Sequence, residues 1–284
     1  MKMTLVLPRN ITEMQKSYQD ETAFSVGSFE VRWYSLCWLA GLALGYLLMR
    51  WLYKRQKLSD EQFEPLFLYV FLSVLIGARL GHCLFYEPAY FLGSWDHFIE
   101  MFIPMRHLTD GTWKFVGYQG LASHGGVLGL LAGLWLYVRH LKVPGWVVLD
   151  NMGICAPLTS MFIRLGNLMN SEIIGRPTDV PWAFVFERID QAPRHPGQLY
   201  EAIAYLLIFV LILSIYLKQP QKVGSGLFFG LCLLLIFAFR FAVEYTKEVQ
   251  EAFESSMPID MGVLLSIPLI AIGAWSVWRS FGRK

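Results

Sequence analysis

Charge is scarce in this chain. Of its 284 residues only 16% are Asp, Glu, Lys or Arg, against about 25% in an ordinary soluble domain. The formal net charge is +2 and no run of five or more basic residues exists, so nothing points to nucleic acid as a partner. Cysteine is sparse too. Cys37, Cys83, Cys155 and Cys232 each stand alone in an apolar stretch, with no C-x-x-C pair. That sets aside zinc and disulfide frameworks and leaves buried, inert thiols as the reading. The sequence has no metal-ligand cluster, which argues against metallohydrolysis, and no cofactor is called for. A cleavable leader is not evident: the apolar stretch Met3–Pro8 is short and polar Arg9–Glu21 follows it, so insertion through the first spanning helix is expected. Internal repeats and low-complexity segments are lacking as well.

What the chain has in quantity is apolar surface, 55% of residues. A helix needs about 20 mostly apolar residues to cross a bilayer. Seven stretches qualify: Trp33–Tyr53, Phe63–Tyr86, Gly120–Val138, Trp146–Leu165, Tyr200–Leu217, Gly224–Tyr245 and Met261–Trp278. The expectation is an all-α polytopic membrane protein of about seven transmembrane helices, one membrane domain over residues 1–284, with two longer external loops at 87–119 and 166–199. Arg50, Lys54, Arg55 and Lys57 follow the first span, Arg139 and Lys142 the third, Lys218 and Lys222 the fifth, and Arg279, Arg283 and Lys284 the last. With seven spans all of these fall on one side, which the positive-inside rule makes cytoplasmic. The loop after span six sets Lys247 against Glu248, Glu251, Glu254 and Asp260. The N-terminus is therefore expected outside and the C-terminus in the cytoplasm. Gly41 and Gly45, then Gly125, Gly129 and Gly133, then Gly226 and Gly230 recur at four-residue spacing, the pattern of close helix packing in membranes, within one chain or between two copies.

A charge at the bilayer centre costs about 2.5–3.5 kcal/mol on insertion scales, so a retained one has a partner or a task. Arg79 lies near the outer end of span two, where either a snorkelling side chain or a ligand contact fits. Arg164 ends span four in a segment dense with polar and glycine residues, Arg164-Leu-Gly-Asn167-Leu-Met-Asn170-Ser171-Glu172-Ile-Ile-Gly175-Arg176. Arg164, Asn167 and Ser171 would share a face if the helix continued. Gly166 and Gly175 suggest instead a break that wraps these groups around a ligand. A guanidinium grips phosphate bidentately, and asparagine can donate to its other oxygens or to glycerol hydroxyls. Arg240 and Glu244 sit four apart on span six and can pair on one face, for function or for structure alone. Two histidines have suggestive settings for proton transfer: His124 in Ser-His-Gly-Gly, and His195 in Pro-Arg-His-Pro before span five. His82, His97, His107 and His140 are read as structural. Arg79, His124, Arg164, His195 and Glu244 all fall on the outer side. The residues alone thus suggest a polytopic membrane protein that binds an anionic lipid headgroup.

The segment Arg-Leu-Gly-Asn-x-x-Asn-x-Glu-x-x-Gly at 164–175 resembles the signature of the prolipoprotein diacylglyceryl transferase family. The resemblance runs through nearly the whole chain in family order: Trp33-Tyr34, Gly77-Ala-Arg79-Leu-Gly81 with Phe85-Tyr86, His124-Gly-Gly, Pro193-Arg-His-Pro196 with Gln198-Leu-Tyr-Glu201, and Phe239-Arg240 with Glu244. It implies an enzyme of the bacterial inner membrane, its active site toward the periplasm, that joins the diacylglyceryl group of phosphatidylglycerol to the lipobox cysteine of a prolipoprotein signal peptide, with membrane lipids around it. The thiol attacks the glycerol carbon bearing the phosphate, a thioether forms and glycerol phosphate leaves. By the same resemblance Arg164 binds phosphatidylglycerol, Asn167 and Glu172 are its essential neighbours, Arg240 is a second essential arginine with Glu244 as orienting partner, His124 is the base and Tyr34 a functional tyrosine; Arg79 and His195 join the substrate-binding set. This chain has Arg32-Trp33-Tyr34-Ser35 where the family commonly has His-Trp-Tyr-Gly, Ser123 where an aromatic residue often precedes the histidine, and Gly197 where Ser or Thr commonly follows the proline. Another phospholipid-using transferase, a lipid or anion transporter and a structural scaffold are the rival readings.

Overall fold

A computed structural model describes residues 22–27, 29–108, 111–117, 120–248 and 261–282. Glu251, Glu254, Asp260, Arg283 and Lys284 of the charge argument lie outside the described residues. The protein is mostly helical. Six of its helices are long and apolar enough to cross a membrane: α1 (Trp33–Arg55), α2 (Asp60–Phe85), α6 (Gly145–Met169), α7 (Gly197–Lys218), α8 (Leu227–Glu244) and α9 (Met261–Phe281). The expected third span is also a helix, α5 (Ser123–Leu141). Its polar first turn and its glycines dilute its apolar character, and it is not among the six. Two short helices, α3 (Pro88–Phe91) and α4 (Trp95–Ile99), a 3-10 turn (Pro220–Lys222) and small antiparallel pairs complete the described elements: β1–β2 (Thr22–Val26, Phe29–Arg32), β3–β4 (Met105–His107, Trp113–Phe115) and β5–β6 (Phe184–Val185, Pro193–Arg194).

The chain forms two compact units. One runs up to Leu52 and resumes at Trp146; the other is Tyr53–Gly145. In the first unit α7 and α8 pack around Ile154 and Cys155 of α6, with Tyr205, Ile212, Tyr216 and Phe228 at the centre. Glycines bring the other helices close. A Cβ on Gly41 or Gly45 of α1 would strike Phe162 or Thr159 of α6, and one on Gly230 of α8 would strike the Gly273 carbonyl of α9. Asp150, fully buried in α6, accepts hydrogen bonds from the amides of Gly224 (2.8 Å), Gly226 (2.9 Å) and Phe229 (3.0 Å). It thereby satisfies orphan donors at the start of α8 with a buried acceptor.

The second unit is a helix pair with an external loop. α2 begins with a capping box between Ser59 and Gln62, which satisfies two orphan donors at once. Along α5, a Cβ on Gly125 or Gly129 would fall on the backbone carbonyl of Gly77 or Ser73 of α2. The four-residue glycine spacing therefore serves packing within one chain. Arg79 is buried, donates to the carbonyls of Glu100 (2.7 Å) and Met101 (3.3 Å), and lies over the Phe91 ring at 4.9 Å. Glu100 in turn accepts from Tyr90 Oη (3.0 Å) and the His107 amide (2.7 Å). Burial, then the Glu100 bond, raises the Tyr90 phenol above its ordinary value.

The glycine contacts set a contrast. Gly129→Ala pushes a methyl into backbone and should destabilise the protein by about 1–3 kcal/mol. At Gly126 the nearest atoms to an added Cβ are 3.6–3.9 Å away, so Gly126→Ala should be close to neutral. Denaturant unfolding of the detergent-solubilised protein distinguishes the two.

Candidate active site

The end of α6 carries the polar segment, and the helix does not break where the glycines suggested. It runs through Gly166, whose missing side chain admits the Tyr34 ring (a Cβ there would be 3.0 Å from Tyr34 Cδ2). The chain leaves the helix after Met169, and Ser171 (φ 54°) and Ile173 (φ 58°) take left-handed conformations. Ser171 therefore does not extend the face of Arg164 and Asn167. The turn instead folds Glu172 back: its Oε2 accepts from Asn167 Nδ2 at 2.9 Å and its Oε1 from Asn170 Nδ2 at 3.0 Å. Asn167 Oδ1 accepts from Arg164 Nη1 at 3.2 Å. Arg164, Asn167 and Glu172 are thus one chain of hydrogen bonds.

The other side of Arg164 is held by a residue absent from the expected set. Arg164 Nε lies 3.1 Å from Glu201 Oε2, and Lys247 Nζ lies 3.3 Å from the same oxygen. Both are ion pairs by distance, but neither donor points along the hydrogen-bond axis of that oxygen. Glu201 Oε1 accepts from Tyr205 Oη at 2.9 Å. Glu201 and Lys247 are buried, at 0% and 2% exposure, where an unpaired charge would be costly. Lys247 also binds Glu244 Oε2 at 3.0 Å. This corrects the expected Arg240–Glu244 pair. Glu244 turns to Lys247, three residues on, and no described carboxylate lies within 4.0 Å of Arg240. Arg240 and Arg164 both lie within electrostatic reach of the Tyr205 hydroxyl.

The backbone of the following loop is laced to this cluster. Gly175 N donates to the His195 carbonyl (3.1 Å), His195 N to the Arg176 carbonyl (3.1 Å), Arg176 N to the Thr246 carbonyl (2.8 Å) and Glu248 N to the Ile174 carbonyl (3.1 Å). A Cβ on Gly175 would collide with the His195 and Thr246 carbonyls. Arg194 fastens the outer edge through Asp190, Glu248 (2.7 Å) and the Gly175 carbonyl (3.1 Å). Its hydrogen bonds to Asp190 hold that carboxyl below the usual range and raise the Arg194 guanidinium.

Tyr34, Arg164, Asn167, Glu172, His195, Arg240 and Glu244 thus belong to the first unit. Arg79 and His124 belong to the second. His124, at the start of α5, is exposed and has no hydrogen-bond partner among the described residues. Sequence reasoning missed the structural parts of Glu201, Lys247 and Tyr205. The available signals were a carboxylate in an apolar helix and the Glu244-x-x-Lys247 spacing.

A family model described as prolipoprotein diacylglyceryl transferase matches residues 21–279. The chain belongs to the prolipoprotein diacylglyceryl transferase family. Curated relatives named phosphatidylglycerol–prolipoprotein diacylglyceryl transferase include one from Bacteroides fragilis, 51% identical over 92% of this chain and 93% of its own. Others are from Tolumonas auensis, 43% identical over 89% and 93%, and Chloroherpeton thalassium, 40% identical over 90% and 91%. The family's usual Ser or Thr after the proline is no obstacle here, since a Cβ on Gly197 would meet only Lys247 Cγ at 3.6 Å.

Two glycines of this transferase family member should therefore respond oppositely. Gly175→Ala should abolish turnover in a protein that still inserts, because the methyl displaces the backbone crossing that holds the Glu172 turn. Gly197→Ser should stay within about threefold of wild type, having only a van der Waals contact to make. Initial rates of the purified variants test both.

Proposed function

We propose that the protein transfers the diacylglyceryl group of phosphatidylglycerol to the lipobox cysteine of prolipoproteins, the first step of bacterial lipoprotein maturation. The observation that carries this reading is the Arg164 guanidinium. Glu201 holds its Nε and Asn167 its Nη1, while Nη2 has no partner among the described residues. A rigid fork of this kind, aimed at one ligand, suits a phosphodiester. Arg240 supplies the second positive charge.

In this reading the thiol sulfur attacks the glycerol carbon that bears the phosphate. The C–S bond forms as the C–O bond breaks, and its electron pair stays on the phosphate oxygen of the departing glycerol phosphate. Arg164 and Arg240 stabilise the charge that grows there. A thiol with a pKa near 8.5 needs a base to become the nucleophile, and His124 is the base that the family resemblance implies. Asn167 and Glu172 fix Arg164, Tyr34 lies beside the lipid, and His195 contacts the headgroup. Glu244 acts through Lys247. Arg79 contributes by anchoring the 100–101 turn of the external loop. The chain is a single membrane domain of seven spans in the bacterial inner membrane, with α5 as the third, its N-terminus and active site outside and its C-terminus in the cytoplasm. The helix count, with α5 included, and the one-sided basic loops support that orientation.

Purified protein, phosphatidylglycerol and a lipobox peptide, followed by mass spectrometry, should give a peptide heavier by one diacylglyceryl group. A cysteine-to-serine peptide should stay unmodified. Arg164→Ala and Arg240→Ala should each lower the rate by at least about 100-fold while the protein still inserts. Absence of the adduct with folded wild-type protein, or wild-type rates in both variants, would reject the reading.

A further inference from the structure

Trp182, Tyr200 and His195 form a hydrogen-bonded chain, of which the transfer reaction as stated uses His195 alone. Trp182 Nε1 lies 2.8 Å from Tyr200 Oη, and His195 Nδ1 lies 3.1 Å from the same oxygen. The first contact has one polarity. An indole N–H only donates, so the tyrosine oxygen accepts from Trp182. The second contact then has two possible polarities. If Nδ1 carries the proton, it donates to Tyr200, and the tyrosine's own O–H must find a third partner. No other acceptor for it exists among the described residues. If Nδ1 is bare, Tyr200 donates to it and the hydrogen left over is His195 Nε2–H; this polarity is the stronger one, because the phenol, its oxygen already accepting from the indole, is the better donor and the imidazole nitrogen the better acceptor.

We infer that Trp182 and Tyr200 are positioning residues that fix the neutral imidazole of His195 with its proton on Nε2, making His195 a hydrogen-bond donor to the lipid phosphate and not the base that deprotonates the thiol. The inference rests on the transferase reading for its substrate, but its geometry does not. The backbone around His195 leaves the ring little freedom. Its amide donates to the Arg176 carbonyl at 3.1 Å, and its carbonyl accepts from the amides of Gly175 (3.1 Å) and Gly197 (2.9 Å). Tyr200 stands in the first turn of α7, so its hydroxyl is placed by the same Pro196–Gly197 helix start that ends the His195 segment. The two rings meet edge to face, with centroids 6.0 Å apart. Trp182 is 59% exposed, yet its one polar atom is committed to Tyr200.

The chemistry follows from the tautomer. A neutral imidazole protonated at Nε2 has no lone pair on that edge and cannot accept the thiol proton there. It can donate to a phosphoryl oxygen, and that bond strengthens as the oxygen gains charge when the C–O bond breaks. The thiol proton then goes to another group, and His195 keeps its own throughout.

Two measurements on the full-length protein test this. In histidine-labelled protein at alkaline pH, two-bond nitrogen–proton NMR should show His195 with a protonated Nε2 and a bare Nδ1, its signals assigned by their loss in His195→Gln. Tyr200→Phe should convert them to a tautomer mixture. In the peptide assay, His195→Gln should stay within about tenfold of wild type, because the glutamine amide nitrogen sits where Nε2 was and donates but takes no proton. His195→Ala and His195→Asn should fall by about 100-fold or more. A protonated Nδ1 in the wild type would overturn the inference, as would a His195→Gln variant as inactive as His195→Ala. Absence of turnover in the wild type would count against the transferase reading alone, since the tautomer is read without substrate.

Discussion

The buried carboxylate of Glu201 is the constraint around which the functional unit is arranged. It sits on a helix apolar enough to span a bilayer, at zero exposure, with two cations within 3.3 Å of one oxygen and a tyrosine hydroxyl on the other. A lone carboxylate there would carry an uncompensated desolvation penalty, and removing one partner of a buried ion pair typically costs about 3–5 kcal/mol. The chain has to bring Arg164 from α6 and Lys247 from beyond α8 to satisfy it. Once they arrive, Glu244 completes Lys247 and Asn167 completes Arg164. Charges that would oppose membrane insertion singly become a cross-linked cluster, and the same cluster fixes the direction of the Arg164 guanidinium.

Close backbone approach is the second requirement. Gly175 lets the loop after α6 cross the His195 and Thr246 carbonyls, and Gly166 lets the Tyr34 ring lie on α6. Gly262 brings the start of α9 against the Glu244 carboxylate. Each is a position where a methyl would strike backbone, a ring or a charged group. The ladder of amide bonds through 174–176, 195 and 246–248 then ties the two ends of the cluster without any long side chain. Rigid donors set by backbone geometry suit catalysis of a reaction whose main demand is stabilising charge on a departing phosphate.

The helices were legible because long apolar runs leave few alternatives: each of the seven expected stretches contains a helix, and six of these are long and apolar enough to cross a membrane. Arg164, Asn167 and Glu172 were legible because polar density and glycine spacing are conspicuous beside an apolar helix. The point of the break was not. Gly166 reads as punctuation in the sequence, yet it serves packing, and the turn comes at Ser171, whose left-handed backbone no residue type announces. Lys247 looked like one charge among several in a loop, since its partner Glu201 lies on a helix remote in sequence. Arg240 and Glu244 had the spacing to pair, but Lys247 offers Glu244 a closer, buried ammonium. In the sequence Arg79 fits a snorkelling side chain or a ligand contact, and the structure gives it a third task, donating to the carbonyls of Glu100 and Met101.

The central claim is that Glu201 aims Arg164 at the lipid phosphate. Its most direct test is the transfer rate of Glu201→Gln at saturating phosphatidylglycerol, on protein whose helical content and unfolding midpoint show it folded. Glutamine keeps the shape and removes the charge. The account predicts a rate lower by about 100-fold or more, with both Arg164 and Lys247 left without their common anion. A folded Glu201→Gln protein turning over at the wild-type rate would contradict it.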